Sequence, residues 1–231
     1  MAFVQIYKME SKTIENLIAA GAHFGYSKTK RHPSAKKYVF GTKNNADIID
    51  LEQTEKMMAQ ALKFIKTLGE EKKVILFVST KPESKKLIEL AAKSVNMPFV
   101  ENRWIGGTLT NFPQIKRRID VLIDLKAKKE KGELEKYTKK EQSDFARQIE
   151  KMTKNFGGLV SLVKKPDAVF IIDVRKEKIA LVEANMTHIP VISLSNTDCD
   201  LTSIEYPIIG NDASRTSVKY FVDEVVAAYK G

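Results

Sequence analysis

The sequence contains few of the residues from which metal sites and disulfide frameworks are built. Cys199 is the one cysteine among 231 residues, and there are three histidines. A single cysteine excludes an internal disulfide and a multi-cysteine zinc site, which fits a reducing compartment. His23 and His32 have no partner at metal-ligand spacing, so helix capping or packing is the better explanation of both. We therefore expect no bound metal.

Segments that would hold the chain in a membrane are also missing. No apolar run approaches the roughly 20 residues that span a bilayer. The N-terminal residues MAFVQIYKME lack a long apolar core followed by a small-residue cleavage site. We therefore expect a cytoplasmic protein that does not contact membranes.

Signatures of catalysis are weak. Residues 79–81 (STK) join a predicted strand to a predicted helix, where an α/β sheet can bind phosphate at helix amides. However, neither G-x-G-x-x-G after a strand nor the full P-loop pattern occurs. Cys199 lies between Asp198 and Asp200, which would raise its pKa and weaken it as a nucleophile. We expect no enzyme and no cofactor, and the alternative is an enzyme or binding protein for a phosphorylated metabolite.

Five carboxylates fall near the ends of predicted strands or in the loops that follow them. A metal site or an acid/base pair would use such a group, but acids at these positions more often cap helices or turns. Because no histidine or cysteine lies at ligand spacing beside them, we favour capping. The five residues are Asp173, Glu177, Asp198, Asp200 and Asp212.

Positive charge is in excess, and one segment near the N-terminus contains cations without any acid. The chain has 39 Lys and Arg against 29 Asp and Glu, a net charge of +10 and a pI near 9.4, which favours a polyanionic partner. Residues 22–43, in which we predict a loop from His23 to Lys37, contain six cations and no acid. Because solvated surfaces usually mix both signs, this segment favours contact with nucleic-acid phosphates over a neutral surface loop.

Aromatic residues lie among these cations. Tyr26 and Tyr38 are placed where they would be able to stack on unpaired bases. The alternative is that Tyr38, Val39 and Phe40 are strand core, and for Val39 and Phe40 it is the better interpretation.

Two lengths of alternating strand and helix patterns predict an α/β fold. The runs 74–80 (VILFVST) and 167–173 (DAVFIID) are apolar without alternation, as in strands buried on both faces. Strands that alternate with helices form a parallel sheet with right-handed crossovers. We predict further strands at 98–100, 190–194 and 204–209, a small hairpin of 36–41 and 47–51 around Asn44 and Asn45, and helices at 11–20, 52–68, 80–94, 177–185 and 213–229. Ser11 is the predicted cap of the first helix, and Thr80 with Glu83 has capping-box spacing for the third.

Residues 112–156 interrupt this alternation. They are rich in Lys and Glu, with apolar residues at three- and four-residue steps, which predicts an antiparallel helical hairpin with a narrow seam. We expect Gly132 to end its first helix and Thr138 with Glu141 to cap its second. The hairpin has 13 basic and 8 acidic residues, half of the net charge. We therefore divide the chain into 1–110, the first half of an α/β domain; 111–157, the inserted hairpin; and 158–231, the second half.

Long blocks of sequence carry a family resemblance over nearly the whole chain. They are LIAAGAHFG (17–25), Pro33 with YVFG (38–41), NRWIGGTLTN (102–111), GELEKYTKKE (132–141), PDAVFIIDVRKEKIALVEANMTHIPV (166–191) and IGND (209–212). In this order and spacing they resemble the S-two family of small-subunit ribosomal proteins, in its bacterial type. Several ordered blocks are far more specific than any one short motif.

The resemblance implies a flavodoxin- or Rossmann-like parallel sheet with helices on both faces, a projecting hairpin and no catalysis. It implies a structural role in translation, with small-subunit ribosomal RNA and neighbouring small-subunit proteins as partners, including the mRNA-binding protein S-one in bacteria. We expect no homo-oligomer. The expected RNA contacts are Lys28, Lys30, Arg31, Lys36, Lys37 and Lys43 in the basic segment, Arg103, Trp104 and Asn111 before the hairpin, and Arg117 and Arg118 on it.

The chain departs from many bacterial members of that family at four positions. They have histidine where Tyr26 stands and tryptophan where His32 stands, and commonly an acid where Asn196 and Ala213 stand. A metal pocket or an S-one contact built on those two acids is therefore not expected to be complete here.

Overall fold

The computed structural model describes residues 12–231, so the predicted cap Ser11 lies outside the described residues. The helices are α1 Lys12–Ala20, α2 Leu51–Glu70, α3 Lys85–Ser94, α4 Phe112–Glu130, α5 Lys139–Phe156, α6 Lys178–Met186 and α7 Arg215–Lys230. The strands are β1 Phe24–Ser27, β2 Val39–Lys43, β3 Ala46–Ile49, β4 Ile75–Val78, β5 Phe99–Val100, β6 Ala168–Ile172, β7 Val191–Ser195 and β8 Tyr206–Ile209. None of the helices in residues 12–231 is both long and apolar enough to cross a membrane.

The apolar runs form a five-stranded parallel sheet in the order β5-β4-β6-β7-β8. Ile75 pairs with Ala168, and Ile172 pairs with Leu194. Every residue of β4, β6 and β7 is buried, because helices cover both faces. Helices α1, α2, α3 and α7 contribute to the core on one face, and α4, α5 and α6 contribute to the core on the other. The predicted α/β fold with a parallel sheet is confirmed.

A second, antiparallel sheet has the strand order β1-β3-β2. The predicted hairpin of β2 and β3 is confirmed, and Asn44 and Asn45 have φ values of 49° and 63°, as a two-residue hairpin turn requires. The basic segment before it was expected to be a loop, which is wrong. It contains β1 and 3-10 turns at Lys28–Lys30 and Pro33–Tyr38, since pairing with the distant β3 supplies hydrogen bonds that no local pattern reveals.

The start of α3 differs from the prediction. The helix begins at Lys85, and its N-cap residue is Ser84, which lies four residues beyond the predicted cap Thr80. The backbone N–H and the hydroxyl of Thr80 instead donate to Glu177 Oε1, at 2.9 and 2.5 Å. A carboxylate from a distant part of the chain has replaced the local capping box.

The helical hairpin forms as predicted. Gly132 follows α4 with a φ of 72°, the left-handed conformation that commonly ends helices. Thr138 and Glu141 form a complete capping box at the start of α5. Ile119 and Leu122 on α4 lie in one apolar core with the side chains of α5 and of the main sheet. The hairpin is therefore held by the same core as the sheet that carries it.

Candidate nucleic-acid interface

The lysines of the basic segment project from a backbone that is fixed to the main sheet. Thr197, just after β7, accepts a hydrogen bond from Tyr26 N–H at its hydroxyl (3.1 Å) and from His32 N–H at its carbonyl (2.8 Å). Lys28 N–H donates to the Asn45 carbonyl at 3.1 Å. The exposed side chains on this frame are Lys28, Lys30, Lys36, Lys37 and Lys43. The backbone that carries these lysines is thus held in place by the fold itself.

Arg31 differs from these lysines because its charge is already paired. Its guanidinium contacts both carboxylate oxygens of Asp47, with Nε to Oδ2 at 2.7 Å, and also donates to Thr42 Oγ1 at 3.0 Å. Asp47 is wholly buried, and the Arg31 side chain is 16% exposed. The hydrogen bond to Asp47 raises the pKa of Arg31. The geometry gives Arg31 a role in the fold and does not support its expected role as an RNA contact.

The two tyrosines of the segment contact its own lysines. Lys30 Nζ lies 5.6 Å from the centroid of the Tyr26 ring, and Lys37 Nζ lies 4.8 Å from that of Tyr38. Both residues are half-buried. The expectation that Phe40 is strand core is wrong, since its side chain is 54% exposed.

The three predicted RNA contacts that precede the hairpin differ in their exposure to solvent. Arg103 and Asn111 are exposed. Trp104 is only 7% exposed, and its Nε1 donates to Glu183 at 3.1 Å. The structure therefore leaves Arg103 and Asn111 available to a partner and assigns Trp104 to the core.

Glu183 on α6 is a site residue that the sequence analysis missed. Besides Trp104, its carboxylate accepts hydrogen bonds from the N–H groups of Gly107 (2.7 Å), Leu109 (3.0 Å) and Thr110 (3.3 Å) and from the Thr110 hydroxyl (3.2 Å). Burial alone would raise its pKa, but these hydrogen bonds outweigh it and lower the pKa below its ordinary value. The available signal was a single acid inside the apolar helix sequence IALVEANM.

Arg117 and Arg118 lie exposed in the first turns of α4. Other cations of that helix have partners one turn away, with Lys116 at 3.5 Å from Asp120 and Lys128 at 2.8 Å from Asp124. Within residues 12–231 neither arginine has a carboxylate at ion-pair distance, so both are available for phosphate.

The junction at residues 79–81, which resembles a phosphate site in sequence, is occupied by side chains of the protein. Lys81 Nζ lies 2.6 Å from Asp173 Oδ2 and 2.7 Å from Asp212 Oδ2. Asn196 donates to the other oxygen of Asp212 at 3.1 Å. Burial raises the pKa of Asp212 to about 6, although Lys81 opposes the rise. Two carboxylates beside this lysine disfavour a phosphate there.

The predicted capping roles of the strand-end acids hold only in part. Asp173 accepts from the Lys176 N–H at 3.1 Å, and Asp200 accepts from Thr202 N–H at 3.0 Å, as capping acids do. For Asp212 the prediction is wrong, because it binds Lys81 instead.

The other two acids, Asp198 and Glu177, bind groups that are distant from them in the sequence. No metal cluster forms in the described part of the chain. Asp198 pairs with Arg175 at 2.7 Å, and Glu177 binds Thr80. Within residues 12–231, no three of the His, Cys, Asp and Glu side chains are arranged to hold a metal ion.

The remaining sulfur and imidazole groups behave as expected. Burial, with the nearby carboxylates of Asp198 and Asp173, raises the pKa of Cys199, which makes it a poor nucleophile. His32 caps the 3-10 turn at Pro33–Tyr38, where its Nδ1 accepts from Ser34 N–H at 3.3 Å. His23 packs against Phe24 with 4.0 Å between ring centroids.

Comparisons with known proteins identify the family of the chain. The family model for ribosomal protein S2 matches residues 17–231. The small ribosomal subunit protein uS2 of Marinobacter nauticus is 40% identical over 217 residues, which cover 94% of this chain and 87% of the relative. Proteins of the same name from Dictyoglomus thermophilum and Helicobacter hepaticus are 40% and 39% identical over 215 and 216 residues, covering 93% and 94% of this chain and 87% and 82% of the relatives. The chain belongs to the ribosomal protein S2 family.

Proposed function

We propose that this protein is a non-catalytic component of the small ribosomal subunit that binds small-subunit ribosomal RNA and supports translation in the cytoplasm. The observation that carries the proposal is the anchored lysine face, defined as Lys28, Lys30, Lys36 and Lys37, in a chain whose relatives are named as proteins of that subunit. Lysines on a fixed backbone bind phosphates without first ordering a loop, so less conformational entropy opposes the contact.

A second contact region completes the proposed RNA-binding surface. Arg103 and Asn111 are exposed on either side of one turn, and Arg117 and Arg118 follow in the first turns of α4. Lys43 extends the first region on β2. Arg31 and Trp104 support these regions from within through Asp47 and Glu183.

We further propose that neighbouring small-subunit proteins, including the mRNA-binding protein S-one, contact this chain, and that it acts as a single copy. Exposed apolar side chains support a protein contact, since Phe24 is 51% and Phe40 54% exposed on the small sheet. Because Asn196 and Ala213 stand where acids are common in the family, we base the proposed contact on these aromatic rings and not on those two positions.

Sedimentation of a cell lysate tests the proposed function. At moderate magnesium concentration the protein is expected to migrate with small subunits and to leave that fraction when magnesium is removed and the subunits unfold. A pool that remains entirely at the top of the gradient would overturn the proposal. For the alternative, saturable thermal stabilisation by a sugar phosphate or nucleotide is required, and the pairing of Lys81 with two carboxylates argues against it.

A further inference from the structure

The turn between Trp104 and α4 contains two adjacent glycines with different structural roles. Thr108 N–H donates to the Ile105 carbonyl at 3.1 Å, which places Gly106 and Gly107 at the two central positions of a four-residue turn. Gly107 has a φ of 91°, the conformation that glycine favours at the second central position. Gly106 lies at the first central position and has no left-handed φ, so its backbone conformation does not require glycine.

Among residues 12–231, no contact explains a glycine at position 106. The residue is exposed, and a Cβ added to it would meet no atom within 4 Å. By contrast, a Cβ at Gly25, Gly158 or Gly210 would meet a neighbour at 2.9 Å or less. Gly41 also has open space, but it lies where the pairing of β2 with β3 shifts register, a common place for glycine. An exposed glycine costs conformational entropy on folding, and nothing in residues 12–231 offsets that cost at position 106.

The surroundings of Gly106 favour an RNA backbone. Within residues 12–231 its N–H has no hydrogen-bond acceptor, so it is available to donate to a phosphate oxygen. Arg103 and Asn111 are exposed on either side in the sequence. The five hydrogen bonds to Glu183 hold the turn in place, which fixes the direction of this backbone.

We propose that Gly106 is a point of close approach, at which the sugar-phosphate backbone of ribosomal RNA lies directly against the turn and a phosphate oxygen accepts from its N–H. A side chain at this position would hold the RNA away from the protein backbone. The inference rests on the proposed function and names one contact within it.

Substitution at Gly106 tests the contact without disturbing the fold. Gly106→Ala and Gly106→Val are compared with Gly157→Ala, since a Cβ at Gly157, at the end of α5, would make only an ordinary 3.5 Å contact with Thr153. Binding to a small-subunit rRNA transcript and thermal unfolding are measured for each. We expect unchanged or higher unfolding temperatures and, for Gly106→Val, affinity reduced on the order of tenfold or more, as for loss of one hydrogen bond to a charged acceptor. Gly157→Ala should bind as the wild type does.

Directed cleavage gives a second measurement that does not depend on affinity. Cys199 is wholly buried, so an iron chelate reacts with the thiol introduced by Gln114→Cys, at an exposed position in the first turn of α4, which leaves Gly106 unchanged. Hydroxyl radicals from it should cut the bound rRNA at one cluster of nucleotides.

The outcomes separate the contact from the wider function. Wild-type affinity in both Gly106 variants, or no cleavage of bound rRNA, overturns the contact while leaving the proposed function standing. Normal binding to the isolated rRNA with reduced incorporation into subunits would mean that a protein covers Gly106, and would also overturn it. Failure of the wild-type protein to bind rRNA would instead remove the proposed function itself.

Discussion

The cationic side chains of this protein fall into two groups: those that stabilise the fold through buried ion pairs and those that are exposed to solvent. Arg31 and Lys81 lie among sequence neighbours that favour phosphate binding, yet each is paired with buried carboxylates. Lys28 and Lys30, close to Arg31 in sequence, are exposed. Charge density along the sequence predicts a basic segment, but it does not distinguish these two groups, because Asp47, Asp173 and Asp212 approach only in the folded chain.

Replacement of Arg31 by glutamine should destabilise the protein. The substitution leaves the Asp47 carboxylate buried without its cation, and such a loss costs about 3–5 kcal/mol in buried pairs, with less expected here because Arg31 is partly exposed. Urea unfolding measures the change. Lys30→Gln is the matched control, expected within about 0.5 kcal/mol of wild type. Equal stability of the two variants would contradict the structural role of Arg31.

Replacement of Glu183 by glutamine should change how stability depends on pH. The pKa of Glu183 is lowered in the folded protein and near the ordinary value of about 4.3 in the unfolded chain. Its carboxylate therefore contributes stability above about pH 4.3, and this contribution is lost as the pH falls through the lower folded pKa.

The measurement is the difference in unfolding free energy between wild type and Glu183→Gln from about pH 6 to about pH 3, which we expect to shrink as the pH falls. Glu150→Gln, on the exposed side of α5, should show a smaller and flatter difference. A constant difference for Glu183→Gln across that range would contradict the account.

At the scale of elements, the parts with strong local signals were predicted and the parts that depend on distant partners were not. The hairpin follows from apolar spacing and from Thr138 with Glu141, all within one stretch of chain. The main sheet follows from runs that are apolar without alternation. The strand β1 and the start of α3 were missed because β3 and Glu177, which determine them, come from distant parts of the sequence.

Because the hairpin and the sheet share one core, we expect substitutions at buried and exposed positions of α4 to have unequal effects on the free energy of unfolding. Ile119 is wholly buried in that core, whereas Val121 on the same helix is 44% exposed. Ile119→Ala should lower the free energy of unfolding by about 2–5 kcal/mol, and Val121→Ala should change it by no more than about 0.5 kcal/mol. Urea unfolding followed by circular dichroism compares the two. Similar costs for both would show that the seam is not packed as described.

In the candidate RNA-binding surface, too, the features with a local sequence signal were predictable and those that depend on distant residues were not. Its basic segment was predictable because acids are absent over residues 22–43. The inward orientation of Trp104 was not, since its partner Glu183 lies 79 residues further along the chain. Composition located the basic segment, but tertiary contacts decide which of its side chains are exposed.

At the scale of the whole molecule, the fold has the architecture of a nucleotide-binding sheet with its crevice filled. In open α/β sheets, ligands bind outside the carboxyl ends of the strands. Here Lys81, Asp173 and Asp212 occupy that edge and satisfy one another. The basic segment is attached beside it through Thr197. Among the described residues, the exposed lysines of the basic segment therefore lie outside the place where sheets of this kind bind ligands, and Lys81 at that place is already paired.

The salt dependence of RNA binding tests the central claim that the anchored lysine face binds ribosomal RNA. Affinity of the purified protein for small-subunit rRNA is measured against salt concentration for the wild type and for the variant with glutamine at Lys28, Lys30, Lys36 and Lys37. A control variant has glutamine at four exposed lysines near α2, namely Lys56, Lys63, Lys66 and Lys72. Because each phosphate contact contributes about 0.7–0.9 to the slope of log affinity against log salt, the first variant should lose about 3 from the slope and the control almost nothing. Equal slopes for the two variants would contradict the account.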